Sequence, residues 1–309
     1  MASAEDESRA FVAFVCQVIE EADGDGTAAP ASEAPPPPPT TTASEEPASA
    51  TATTPATTAA SEEPCAATAN CVTCRICLQG GGPEKLCAPC PCRGSLKFAH
   101  LSCLRTEFLA RRQWTRLNCS ICSNEFIGPP VIELARLALE WAEAEWGPED
   151  TGTLVCADHL GRVLSAAGEL DEAEPFLRRA LFGLERVSGA DDSEALIAAS
   201  NLGLLLNSRG RYDEAEPLVR RAWQGSCALR GEEHAETLVF AMNLAVVLRE
   251  LGRSKEAEPL LRQSLTGLND LRGRQHPDTL AAASHLSGLL LHLRQDLGEA
   301  EPLARRAWE

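Results

Sequence analysis

From Val131 onward, apolar side chains recur at three- and four-residue steps, in stretches separated by glycine-containing turns. LVCADHLGRVL and TLVFAMNLAVVL each read as one amphipathic helix, because a 3.6-residue period gathers their apolar positions into a stripe. A turn glycine follows at Gly168, Gly210 and Gly252, and strings such as EAEPLVRRAW open the next helix. The prolines in those strings are expected near the helix start, where a missing N–H costs little.

The pattern repeats. EAEP occurs at Glu172–Pro175, Glu214–Pro217, Glu256–Pro259 and Glu299–Pro302, at steps of 42, 42 and 43 residues. A second marker, glycine with Thr-Leu or Ala-Leu six and seven residues on, starts at Gly147, Gly189, Gly231 and Gly273. Self-similarity at this length predicts an all-α solenoid over 131–309, in which each unit buries its apolar face against its neighbours. Small residues recur where two helices must touch: Gly161, Gly203, Ala245 and Ser287 on first helices, Ala173, Ala215, Ala257 and Ala300 on second ones. Val131–Trp146 falls in register with the second helix of an earlier, degenerate unit and is expected to cap the array. The sequence ends at Glu309, partway through a second helix, so the last helix is either short or continued in a longer protein.

The N-terminal part has no such pattern. Residues 1–20 read as a short amphipathic helix or a frayed terminus. Residues 21–70 are mostly Ala, Thr, Ser, Glu and Pro, with five prolines at 35–39 that serve as linker or as a proline-docking segment. A disordered acidic tail over 1–70 follows, because this composition buries too little apolar surface to offset its ordering entropy. Charge divides the chain the same way: net −11 over 1–70, +5 over 71–130, and −11 beyond, for −17 in all. That balance argues against nucleic acid as a general partner. The acidic start, MASAEDESRA, is no signal peptide, and no run reaches the roughly 20 apolar residues needed to span a membrane.

Nine of the thirteen cysteines lie between Cys71 and Cys122, mostly in close pairs. Such spacing indicates metal ligation rather than a secreted disulfide framework, and with it a reducing compartment: the cytoplasm, with the nucleus left open. Eight ligands read as C-x2-C (Cys74, Cys77), C-x-C (Cys90, Cys92), His100-x2-Cys103 and C-x2-C (Cys119, Cys122). A two-residue spacing lets both thiolates reach one tetrahedral ion from a tight turn, so eight ligands imply two structural Zn2+ ions. A finger over 71–128 has too little core to fold alone, and metal binding should supply much of its folding free energy. Cys71-x2-Cys74 and Cys87-x2-Cys90 also fit a pair spacing. Cys156 and Cys227 read as small apolar fillers of helices.

Four cysteines, one histidine and three cysteines in this order resemble the RING-CH zinc fingers of ubiquitin ligases. The likeness includes Cys74-Arg-Ile-Cys77, Pro91-Cys92, Gly94-Ser95-Leu96, His100-x2-Cys103-Leu104, and Cys119-x2-Cys122 followed by Glu125-Phe126. A PHD finger shares the ligand order. Against it stand the seven-residue gap from Cys92 to His100, the C-x-C pair, and Leu117 at a position where PHD fingers place an aromatic. The RING-CH resemblance favours Cys74/Cys77 and Cys90/Cys92 over the alternative pairs. It implies a cross-brace: Cys74, Cys77, His100 and Cys103 on one zinc, Cys90, Cys92, Cys119 and Cys122 on the other. The repeats, with Gly-x-x-His-Pro-x-Thr-Leu at Gly273–Leu280, resemble tetratricopeptide repeats of the kinesin light chain variety.

The resemblance implies a ligase that supplies no catalytic residue of its own. It binds a ubiquitin-loaded conjugating enzyme and orients the thioester for a substrate lysine. The implied docking residues are Ile76, Ile121 and either Phe108 or Trp114. Glu107 departs from the family, standing where it has tryptophan, and no basic residue follows Cys122. The repeats would recruit a protein or peptide into a groove lined by first helices, with His159, Asn201, Asn243 and His285 in a polar ladder. Those groups alternatively bond within the array. The competing function is a non-enzymatic zinc-binding adaptor.

Overall fold

The computed structural model describes residues 72–293 and 297–308; the expected tail over 1–70 and the alternative ligand Cys71 lie outside the described residues. Two segments of regular structure build the finger: an antiparallel pair, β1 (Leu86–Cys87) with β2 (Ala99–His100), Leu86 opposite His100, and the helix α1 (Leu101–Arg111). A single 3-10 turn, Gly94–Leu96, joins the strands. Helix α1 is followed by Arg112, whose left-handed φ of 51° turns the chain back toward Trp114.

Helix α2 (Pro129–Trp146) follows, and then four helical hairpins. Their first helices are α3 (Thr151–Ala166), α5 (Ser193–Ser208), α7 (Ala235–Glu250) and α9 (Pro277–Leu293). The second helices are α4 (Leu170–Val187), α6 (Tyr212–Arg230), α8 (Ser254–Arg272) and α10 (Leu297–Trp308). Their order follows the sequence period. The marker glycine follows the helix before each first helix, directly at Gly147, Gly231 and Gly273 and after Ser188 at Gly189: Gly231 has φ 91° and its N–H bonds Cys227 O at 3.0 Å, which a side chain at that φ would strain. Three residues later stands the N-cap of the next first helix. Asp150 and Asp192 accept from Gly152 N and Glu194 N at 2.8 and 3.0 Å, and His234 and His276 do the same through Nδ1.

Helix contacts fall where small residues were expected and at one further set. A methyl added at Gly161 would lie 2.6 Å from Leu177, and one at Gly203 2.4 Å from Val219. Gly183, Gly225 and Gly267 form a second 42-residue series, filled by Leu154, Leu196 and Leu238 of the paired first helix. Helix α2 does pack like a second helix of an earlier unit: Arg136 pairs with Glu172 as Arg178 pairs with Glu214 one period on. Arg179–Glu143 and Arg221–Glu185 repeat the same step.

The prolines correct an expectation. Pro175, Pro217 and Pro259 are sixth in their helices, well past the first turn, because Leu170, Tyr212 and Ser254 already adopt helical backbone ahead of EAEP. Each therefore removes one backbone hydrogen bond. The EAEP glutamate before the proline is an ion-pair hub instead. Glu174 meets Arg178, Arg209 and Arg211 at 2.8–2.9 Å, and Glu216 meets Arg220 and Arg253 at 2.7 and 3.2 Å. Surface ion pairs contribute about 0–1 kcal/mol each, and these, with Glu174 and Glu216 partly buried, join neighbouring repeats while apolar burial carries the stability. Among the described residues, no helix is long and apolar enough to cross a membrane.

Candidate metal centre

Both C-x2-C pairs fold into the same tight turn. Leu78 N bonds Cys74 O at 2.9 Å and Ser123 N bonds Cys119 O at 3.0 Å, with Leu78 and Ser123 in left-handed backbone. Inside each turn an N–H points at the first sulfur: Ile76 N to Cys74 Sγ and Ile121 N to Cys119 Sγ, both 3.4 Å. The turn thus aims two thiols at one point and stabilises negative charge on the first.

Strand β2 and the start of α1 bring His100 and Cys103 to the first turn, while Cys90 and Cys92 meet the second. In each set of four, all ligand atoms lie within 4.8 Å of one another. Cys77 Sγ is 3.4 Å and Cys103 Sγ 3.9 Å from His100 Nδ1, and Cys92 Sγ is 3.9 Å from Cys119 Sγ. A zinc tetrahedron with the usual Zn–S and Zn–N bonds has edges of about 3.5–3.8 Å. The donor sets fit two structural zinc ions, held in the interleaved arrangement. Cys87 stays outside, its thiol 3.1 Å from Ala99 O.

The thiols are uneven. Burial works against ionisation of Cys74, yet backbone N–H groups of Cys77, His100 and Ile76 bring it down to about 6. Cys119 falls to about 7 by the same balance, with Arg75 helping. Burial and neighbouring thiols push Cys92 up to about 12 and Cys103 up to about 11. A metal must displace those protons, so zinc affinity falls as pH falls.

Arg75 is a functional residue the sequence reading missed. It sits in the turn of the first site, but its Nη1 donates to Cys90 Sγ of the second at 3.2 Å and to Leu96 O at 3.2 Å. One guanidinium therefore ties the two metal sites together and offsets thiolate charge. Its position inside Cys-Arg-Ile-Cys was the available signal.

The expected docking residues separate into two groups. Ile76 and Ile121 are 39% and 49% exposed on the two ligand turns. Phe108 and Trp114 are 1% and 2% exposed, which removes both as contacts for a partner. They pack edge to face with centroids 5.7 Å apart, and Trp114 Nε1 donates to Glu145 of α2 at 2.9 Å. The face of α1 that carries Phe108 is turned to α2, where burial of the ring is favourable. Glu107, on the exposed side, accepts a hydrogen bond from Ser120 Oγ.

The polar ladder is also corrected. Asn201 and Asn243 are 5% and 1% exposed. Asn201 Nδ2 donates to Asp158 Oδ2 at 2.8 Å, and Asn243 Nδ2 donates to Ser200 Oγ at 3.1 Å. These amides join α5 to α3 and α7 to α5 through their nitrogens, and the Oδ1 of each is buried without a hydrogen-bond partner among the described residues. His285 is buried as well; burial, then Arg249, push its pKa well below the usual imidazole range. His159 lies half-buried at the equivalent position of α3. Cys156 behaves as the expected apolar filler, with burial raising its thiol to about 12.

Comparison with known proteins agrees with both parts. Residues 74–122 match the RING-variant domain, and residues 153–194, 194–270 and 233–309 match tetratricopeptide repeats. The finger is therefore of RING-CH type and not a PHD finger. The E3 ubiquitin-protein ligase MARCHF2 of Rattus norvegicus is 33% identical over 90 residues, covering 29% of this chain and 34% of that protein. The Homo sapiens protein of the same name is 34% identical over 85 residues, 28% of this chain and 32% of that one. The chain thus spans about a third of the length of the curated relatives it matches. Among solved structures, BtubC (BKLC) from P. vanneervenii is 23% identical, covers 57% of this chain and 67% of its own, and has a TM-score of 0.46.

Proposed function

We propose, for a chain that carries a RING-variant domain at 74–122 and tetratricopeptide repeats from 153 onward, that it is a RING-type ubiquitin ligase whose array recruits the protein to be modified. The observation that carries this reading is the pair of exposed isoleucines, Ile76 and Ile121, one on each ligand turn. Apolar side chains this exposed on turns this rigid are suited to a partner's apolar loops. The zinc ions are structural; they hold the two turns in place and take no part in bond making.

Catalysis on this reading is positional. The finger binds the conjugating enzyme and limits the motion of its thioester-linked ubiquitin, which a substrate lysine attacks directly. The array supplies the substrate surface, by residues other than the buried ladder. The curated relatives' name as E3 ubiquitin-protein ligases supports the activity through the finger alone. One observation favours the adaptor reading: Phe108 and Trp114 are spent on packing and Glu107 replaces an aromatic.

Titration of the full chain with unloaded conjugating enzymes separates the two. Ligase function requires saturable binding to at least one of them, weakened at least about tenfold by Ile76→Ala or Ile121→Ala with both zincs retained. No binding across the panel overturns it.

A further inference from the structure

Glu107 occupies a singular place on the finger. It lies one turn after the ligand Cys103 on α1, and Ser120, the donor to its carboxylate, stands between Cys119 and the exposed Ile121. From the other side comes Arg75, neighbour of the exposed Ile76, whose charge acts on Glu107 and whose Nη1 holds Leu96 O. Through Ser120 and Arg75 the carboxylate is linked to both ligand turns, which carry the exposed Ile121 and Ile76. The finger around it is basic, with eight Lys/Arg against three Glu over residues 71–130. No ion pair to Glu107 forms among the described residues, and Glu107 is half-buried already.

A carboxylate linked to both of these turns has a definite consequence when a partner docks on them. A partner that covers it with apolar groups strips its water and returns nothing, which disfavours that partner. A partner that brings a cation restores the lost solvation by pairing, and gains association rate from the opposite charge. A tryptophan at the same position would instead add apolar contact and leave charge unread.

We infer that Glu107 selects among conjugating enzymes, favouring those that present a lysine or arginine between the apolar contacts of Ile76 and Ile121, and rejecting those that present an apolar or acidic side chain there. The inference rests on the ligase reading above and names its partner specificity. Arg75 and Ser120 act as positioning residues for the carboxylate.

The test measures affinity and ubiquitin chain formation for the full chain against a panel of conjugating enzymes that differ in the charge of their finger-facing residues. Glu107→Gln keeps an acceptor for Ser120 and removes the charge; Glu107→Lys reverses it. With enzymes bearing a basic contact residue, Glu107→Lys should weaken binding at least about tenfold and Glu107→Gln several-fold, both less at high salt. Reversing the enzyme's basic residue to glutamate should restore binding to Glu107→Lys. Zinc content of two per chain in each variant shows that the finger is intact. Wild-type activity that ignores both substitutions overturns the selectivity and leaves the ligase standing. Absence of binding and of chains with every enzyme, two zincs bound, overturns the ligase reading and this inference with it.

Discussion

Trp114 of the finger stacks on Trp141 of α2, with ring centroids 5.9 Å apart and 20° between the planes. The stack is bolted at one edge, since Glu145 accepts from Trp114 Nε1 and pairs with Arg112 at 2.8 Å. The finger is thereby packed against the cap of the array. Trp141→Ala should lower stability by about 1–2 kcal/mol, the value of an aromatic pair plus the area lost from a half-exposed ring. Urea unfolding followed by Trp fluorescence measures it. A change within error would mean that the joint contributes nothing.

Chelation should separate the two parts of the chain. Removing both zincs takes away the finger's principal source of folding free energy, while most of the continuous apolar cluster, from Val131 to Ala300, lies within α2 to α10. Helix α1 is 11 residues, so helical circular dichroism should fall by about a tenth at most as thiol titration exposes the seven ligand cysteines. Loss of most helical signal on chelation would show that the array depends on the finger.

Packing at the paired glycines gives a sharper stability test. Gly203→Ala drives a methyl to 2.4 Å from Val219 Cγ2 and 3.2 Å from Ala215 O, and α5 must move to relieve it. The cost should be about 1–3 kcal/mol by thermal or urea unfolding. Gly82→Ala, whose methyl meets nothing within 4 Å, should stay within about 0.5 kcal/mol.

His285 predicts a direction with pH. Its folded pKa lies well below the usual range, through burial first and Arg249 second, whereas the unfolded chain takes up a proton near pH 6.5. The unfolded state therefore binds more protons as pH drops through 6.5, and stability falls with it, by at most about 1.4 kcal/mol per pH unit. Urea midpoints at pH 7.5 and 5.5 should differ more for wild type than for His285→Asn. Equal differences would remove His285 as the cause.

Much of this architecture was legible in the residues because four copies of one unit agree. Helix order, the turn glycines and the role of Val131–Trp146 all follow from a 42-residue period, and the zinc ligands from pair spacing and family likeness. Direction was harder to read. Phe108 and Trp114 look alike whether they face a partner or α2, and only tertiary packing decides. Asn201 and Asn243 keep the period of a groove-lining ladder, yet their amides reach backward to Asp158 and Ser200. Arg75 was hidden for a related reason, since its partner Cys90 lies 15 residues away, at the other metal site.

The central claim is tested most directly by single-turnover discharge. A conjugating enzyme charged with ubiquitin is mixed with free lysine and the full chain, and thioester loss is followed beside Ile76→Ala, with two zincs bound in each. The account predicts faster discharge with the wild type for at least one conjugating enzyme, reduced at least about tenfold in the variant. Discharge no faster than the uncatalysed rate with every enzyme of the panel, zinc intact, would contradict it and leave a zinc-bound adaptor.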